Sequence, residues 1–177
     1  IEQVNPTSKL EIPADALLKA IRATQFAVSS DETKQVLCGV NVKVDNNRLV
    51  VAATDGHRLS VIEITDFSFM DMEPITLPSR LVVELVSALT RSPDDVVEIC
   101  VDDDKVEIRV ANMVLVSRLL VGTYPAYWQL IPKQFNRTVL LNRVELLSAL
   151  GRITILSDQK HKIVKFVFDQ EELEISA

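Results

Sequence analysis

Glycine is scarce: only four occur among 177 residues. A phosphate-binding P-loop and a dinucleotide fingerprint each need several glycines at fixed spacing, and neither can be assembled. A Gly-x-Ser-x-Gly nucleophile elbow is missing as well. There are two histidines, at positions 57 and 161, with no HExxH pair, which argues against a histidine-based metal site. Cys38 and Cys100 stand alone in apolar stretches without CxxC spacing, and read as buried thiols of a reducing cytoplasm. No apolar run reaches the ~18 residues of a membrane-spanning helix. The opening Ile1-Glu2-Gln3-Val4-Asn5-Pro6 lacks the basic and apolar regions of a signal peptide. No cofactor, metal or membrane is expected from these residues.

What is present is a chain 47% hydrophobic, enough to bury one or two cores. The net charge of −6 argues against coating nucleic acid by bulk charge. The imbalance is local, because residues 94–107 hold seven acids against the single Lys105. The remainder is neutral and free to carry basic patches.

A repeat organises the chain. Leu17-Leu18-Lys19-Ala20-Ile21 returns as Leu85-Val86-Ser87-Ala88-Leu89 and again as Leu146-Leu147-Ser148-Ala149-Leu150. Each copy follows a short apolar stretch: Leu10–Ile12, Ile75–Leu77 and Val139–Leu141. Each also follows a helix-start signal, namely Pro13, Pro78-Ser79, and Asn142 with Glu145 three residues on. Period-two alternation then predicts strands over about Val36–Val44, Arg48–Ala53 and Arg58–Thr65 in the first copy. In the second copy it predicts Val96–Val101, Lys105–Val110 and Val114–Val121. Asp45-Asn46-Asn47 and Asp102-Asp103-Asp104 fall at the hairpin turns, and the triple aspartate reads as a solvated turn rather than a metal site.

The fold class is therefore α+β, built of β-α-β-β-β repeats at about 8–65 and 74–122, two to a domain, with helices on one side and antiparallel sheet on the other. A third repeat begins near Thr138 with a helix and strands at Ile163–Asp169 and Leu173–Ser176, but has no final strand. A half-built repeat exposes a sheet edge, so the natural protein is expected to continue past Ala177 and to begin before Ile1. The polar helix faces carry Asp15, Lys19 and Arg22; Arg80, Glu84, Ser87 and Arg91; and Arg143, Glu145, Ser148 and Arg152. Each nets about +1, a weakly basic bias shared by all three helices.

Ala53-Thr54-Asp55-Gly56-His57-Arg58-Leu59 lies between the first repeat's last two strands, where Asp-Gly supplies a turn. With Gly122-Thr123-Tyr124-Pro125-Ala126-Tyr127, it resembles the β subunit family of bacterial DNA polymerase III, the replicative sliding clamps. Leu37–Val40, Ser117–Leu119 and Arg152–Ser157 support the resemblance, which runs across essentially the whole chain. Ala126 departs from the Asp or Asn usual in the family. The resemblance implies a DNA clamp fold, with residues 1–132 as the middle domain and 133–177 as the first half of the third. It also implies a homodimeric ring around duplex DNA, non-catalytic, serving as a processivity factor in DNA replication in the bacterial cytoplasm.

Polymerase and clamp-loader clients of this family insert a short, partly hydrophobic peptide into a pocket. By resemblance its walls are Thr54, Gly56, His57, Arg58 and Leu59, then Pro125 and Leu130, with Lys34 and Val36 flanking. The helices facing DNA would contribute Lys19, Arg22, Arg80, Arg91, Arg143 and Arg152. Ile155 and Leu156 stand near the family's dimer contact. Two other readings compete. An enzyme using Asp55, His57 and Ser60 or Ser117 has no orienting third group and no oxyanion loop. A repeat-built protein-interaction scaffold unrelated to DNA leaves the basic helix faces unexplained.

Overall fold

The computed structural model describes residues 6–155, 163–169 and 172–177. The chain divides into two compact units, Ile1–Leu130 and Ile131–Ala177. In the first, the order is β1 (Ser8–Pro13), α1 (Ala14–Thr24), β2 (Gly39–Asp45), β3 (Arg48–Thr54), β4 (Leu59–Ile64), β5 (Met72–Pro78), α2 (Ser79–Arg91), β6 (Val96–Val101), β7 (Lys105–Val110) and β8 (Met113–Arg118). The second carries α3 (Arg143–Thr154), β9 (Lys165–Phe168) and β10 (Leu173–Ser176).

The strands form two four-stranded antiparallel sheets rather than one, ordered β1-β6-β7-β8 and β4-β3-β2-β5. Each repeat lends its first strand to the other repeat's sheet. β1 runs beside β6, with Leu10 opposite Ile99, and β5 runs beside β2, with Leu77 opposite Val40. Helix starts follow the same exchange. The Ala14 N–H donates to the Asp95 carbonyl at 2.9 Å, and the Ser79 N–H to the Cys38 carbonyl at 3.0 Å. Both helices begin directly after a proline, Pro13 and Pro78, and the first N–H of each, which has no intrahelical partner, is met from across the unit.

One face of each sheet and the apolar stripes of both helices build a shared core. Ile12, Leu17, Ile21, Leu49, Leu77, Leu85, Leu89, Ile99 and Ile108 are its largest fully buried members. Alternation made this legible: in β7 the buried residues are Val106, Ile108 and Val110, while Arg109 faces water. Gly39 stands where the β2 chain turns against β5. A Cβ there would meet the Leu77 carbonyl oxygen at 2.3 Å and Leu120 Cδ1 at 2.8 Å, so only glycine fits.

Several boundaries differ from the alternation pattern. Val36 and Leu37 belong to a 3-10 segment, Glu32–Leu37, which buries Leu37 against other side chains instead of extending β2. β8 ends at Arg118 because the chain then leaves its sheet. Leu119 donates to the Asp104 carbonyl, and Leu120 to the Thr76 carbonyl on β5 at 3.0 Å, tying one sheet to the other. Val139–Leu141, the short apolar stretch ahead of the third helix, forms no strand, and Leu140 is 98% exposed. β9 and β10 after α3 pair only with each other, so Val139–Leu141 has no strand partner among the described residues.

α3 itself starts as expected, with the Asn142 side chain accepting from the Val144 and Glu145 N–H groups at 2.9 and 3.2 Å. The acidic stretch is also less bare than its composition. Glu98 pairs with Lys9 at 2.5 Å and with Arg109 at 3.2 Å, and Arg109 reaches Glu107.

Candidate functional site

Residues 55–58 link β3 to β4, and Thr54 pairs with Leu59 to close the hairpin. Asp55 shapes the loop. Its Oδ1 accepts from the His57 and Arg58 N–H groups at 2.9 and 3.0 Å, and its Oδ2 takes the Arg58 Nε at 3.0 Å. These donors hold the Asp55 carboxyl down to about 2, the two backbone bonds contributing most. Gly56 adopts a φ of +93°, which an L side chain rarely takes, and its N–H donates to Thr54 Oγ1 at 3.1 Å. The Thr54 hydroxyl in turn donates to the Arg58 carbonyl at 2.7 Å. Thr54 is thereby buried, while Gly56, His57 and Arg58 stand exposed.

The second part of the site arrives from the segment after β8. Tyr124 is buried, and its phenolic oxygen accepts the Thr54 N–H at 3.0 Å, across 70 positions of sequence. Burial raises the Tyr124 phenol to about 12. Tyr127 packs edge-on against Tyr124 with ring centroids 6.3 Å apart, and Trp128 against Tyr127 at 5.5 Å. Leu37, Val50, Ala52, Tyr124 and Tyr127 make a small core of their own, separate from the main one, with Val36, Leu59 and Val61 packed on it. Gly122 passes over Val36, where a Cβ would lie 3.5 Å from Val36 Cβ.

Leu59, Val36, Thr54 and Tyr124 thus meet around one apolar floor. Lys34 flanks the loop, its Nζ 4.0 Å from where a Gly56 Cβ would stand. Pro125 is exposed, and Leu130 is 76% exposed after the 3-10 turn Tyr127–Gln129. Sequence reading missed Tyr124, Tyr127 and Leu37 as site members. The signal was there: the chain's only two tyrosines fall three residues apart on either side of Pro125. A separate open groove of about 800 Å³ touches Tyr124, Pro125, Tyr127 and Trp128 but none of residues 54–59. It lies along Asn41, Lys43 and Thr76, with Lys43 Nζ 5.0 Å from the Trp128 ring centre.

The acid-base alternative has no geometry behind it. The Ser60 hydroxyl donates to the Ala23 carbonyl at 2.6 Å, and the Ser117 hydroxyl to the Arg118 carbonyl at 3.0 Å. Neither serine is bonded to His57 among the described residues. An Asp55 carboxyl held near 2 is also poorly matched to proton transfer at neutral pH. No three His, Cys, Asp or Glu side chains come together as a metal site among the described residues.

The basic residues of the helices are exposed. Lys19 and Arg22 lie on α1 and Arg80 and Arg91 on α2; the helices adjoin, with Arg22 Nη2 donating to Thr90 Oγ1 at 3.0 Å. Lys19 is paired with Asp15 at 3.0 Å. Arg143 and Arg152 lie on α3 in the second unit, the latter bonded to Ser148 Oγ at 2.7 Å. Ile155 is 81% exposed at the end of α3, and Leu156 lies outside the described residues.

Two linked four-stranded sheets, two helices and a His-Arg hairpin loop locked to a following tyrosine define a clamp-type domain. The chain belongs to the DNA polymerase III beta subunit family, whose central-domain model matches residues 11–126. It is 40% identical to the beta sliding clamp of Synechocystis sp. over 94% of this chain, and 32% identical to that of Bacillus subtilis over 100%. Among solved structures it is similar to the DnaN sliding clamp (DNA polymerase III subunit beta) of Bartonella birtlesii bound to griselimycin, with a TM-score of 0.91 and 28% identity over 99% of this chain. The chain spans about half the length of these relatives: 45% and 47% of the two clamps and 48% of the Bartonella chain. No helix among the described residues is long and apolar enough to cross a membrane.

Proposed function

We propose that this chain is part of a replicative sliding clamp, a non-catalytic processivity factor that encircles duplex DNA as a homodimeric ring in the bacterial cytoplasm. The central-domain match over residues 11–126 supports this reading most strongly. In it, residues 1–132 serve as the middle clamp domain and 133–177 open the third. The helix residues Lys19, Arg22, Arg80, Arg91, Arg143 and Arg152 face the DNA, and Ile155 and Leu156 contribute near the dimer contact. Few, scattered cations, one of them already paired with Asp15, suit a ring that slides rather than grips. Each phosphate neutralised would add affinity and salt dependence, which a sliding contact must avoid.

The Thr54–Leu59 loop, with Pro125, Leu130, Lys34 and Val36, forms the docking wall for the short, partly hydrophobic peptides of polymerase and clamp loader. Leu59, Pro125 and Leu130 offer apolar contact, and Arg58 offers donors for a peptide carbonyl or carboxylate. Full-length protein loaded onto closed circular DNA should stay attached near physiological salt and be released when the circle is cut. Equal retention on circular and linear DNA, or tight salt-resistant binding to linear duplex, would mean that contact rather than topology holds it.

A further inference from the structure

Arg58 has one neighbour outside its own loop that the pocket reading leaves unused. Its guanidinium carbon lies 5.6 Å from the centre of the Phe26 ring, within the range of a cation–π contact. Phe26 sits in a 3-10 turn, Gln25–Ala27, directly after α1, and is 56% exposed. The turn is anchored on both sides: Ala27 is fully buried, and the Ser60 hydroxyl from β4 donates to the Ala23 carbonyl at 2.6 Å. The ring is therefore held beside the loop by β4 itself.

Resting on the pocket reading above, the geometry points to Phe26 as a positioning residue of the client-peptide site, holding the Arg58 guanidinium in the orientation that meets a peptide. Asp55 fixes only the Arg58 Nε, at 3.0 Å. Both terminal amino groups of Arg58 are without a hydrogen-bond partner among the described residues, so they are the donors available to a ligand. An exposed arginine samples many rotamers, and ordering it on binding costs affinity. Asp55 on the Nε and the Phe26 ring facing the guanidinium carbon together restrict that freedom before the peptide arrives. Phe26 acts through Arg58.

The test is a double-mutant cycle in full-length protein. The probe is a labelled synthetic peptide of the polymerase's short, partly hydrophobic clamp-binding segment. Phe26→Leu keeps apolar bulk and removes the π face; Phe26→Tyr restores the face. Phe26→Leu should weaken binding about twofold to fivefold, the range of an exposed cation–π contact. Phe26→Tyr should match the parent, and Phe26→Leu should add nothing in an Arg58→Ala background. A merely structural role would lower affinity equally in both backgrounds. That result, or unchanged affinity in Phe26→Leu while Arg58→Ala weakens binding, overturns the inference and leaves the pocket standing. If Arg58→Ala and Leu59→Ala both bind as the parent does, the pocket reading falls and this inference with it.

Discussion

Tyr124→Phe isolates the bond that joins the hairpin loop to the rest of the site. The change deletes one oxygen from a buried ring and leaves the Thr54 N–H, also buried, without its acceptor. Leaving a buried donor unpaired costs about 1–3 kcal/mol, and the ring's packing against Tyr127 is retained. The loss should therefore be local. Hydrogen exchange of the Thr54 amide in full-length protein should accelerate about 5- to 150-fold, as expected for about 1–3 kcal/mol of lost protection. Tyr127→Phe serves as the control, because no hydrogen bond joins its hydroxyl to a described residue, and exchange at Thr54 should not change. The same phenol predicts an alkaline effect. Its folded value is raised to about 12 from 10, so its contribution to stability is whole below pH 10 and is lost as the pH rises through 12. Tyr124→Phe should flatten that part of the pH profile. Unchanged Thr54 exchange in Tyr124→Phe would refute the claim that the phenol holds the loop.

Gly39→Ala should destabilise the first compact unit by about 2–3 kcal/mol, because the added Cβ meets a backbone oxygen that cannot move aside; the urea midpoint reads it. Leu85→Ala, at a fully buried core position, should cost about 2–5 kcal/mol by the same measurement. Leu59→Ala and Arg58→Ala should each weaken the labelled polymerase peptide by about tenfold to a hundredfold, the effect of truncating a central anchor, as measured by fluorescence anisotropy. Asp55 is held near 2 against an ordinary 3.8, so the order it gives the loop is present above pH 4 and fades as the pH falls through 2. Backbone exchange at His57 and Arg58 should follow that course, and Asp55→Ala should abolish it.

Local sequence determined what local physics governs. Pro13, Pro78 and Asn142 marked where helices begin, since each suits a helix's first turn in its own way. Alternation marked β7 to the residue, because one face of it is buried, whereas β3 and most of β6 are apolar runs, β3 being buried on both faces between the main core and the small one. The Asp55-Gly56 turn was legible from the conformational freedom of glycine, and the family from the strings around it. Tertiary structure alone decided which strand lies beside which. Nothing in Leu10–Ile12 or Ile75–Leu77 says that each joins the other repeat's sheet, and Val139–Leu141 looks the same yet forms no strand. The site divides in the same way. Its loop was visible in seven consecutive residues, but its floor was not. Tyr124 reaches Thr54, and Phe26 reaches Arg58, across distances of sequence over which no periodicity carries. Those contacts exist because the crossing segment after β8 and the turn after α1 are brought to one hairpin by the exchanged strands and the packed helices.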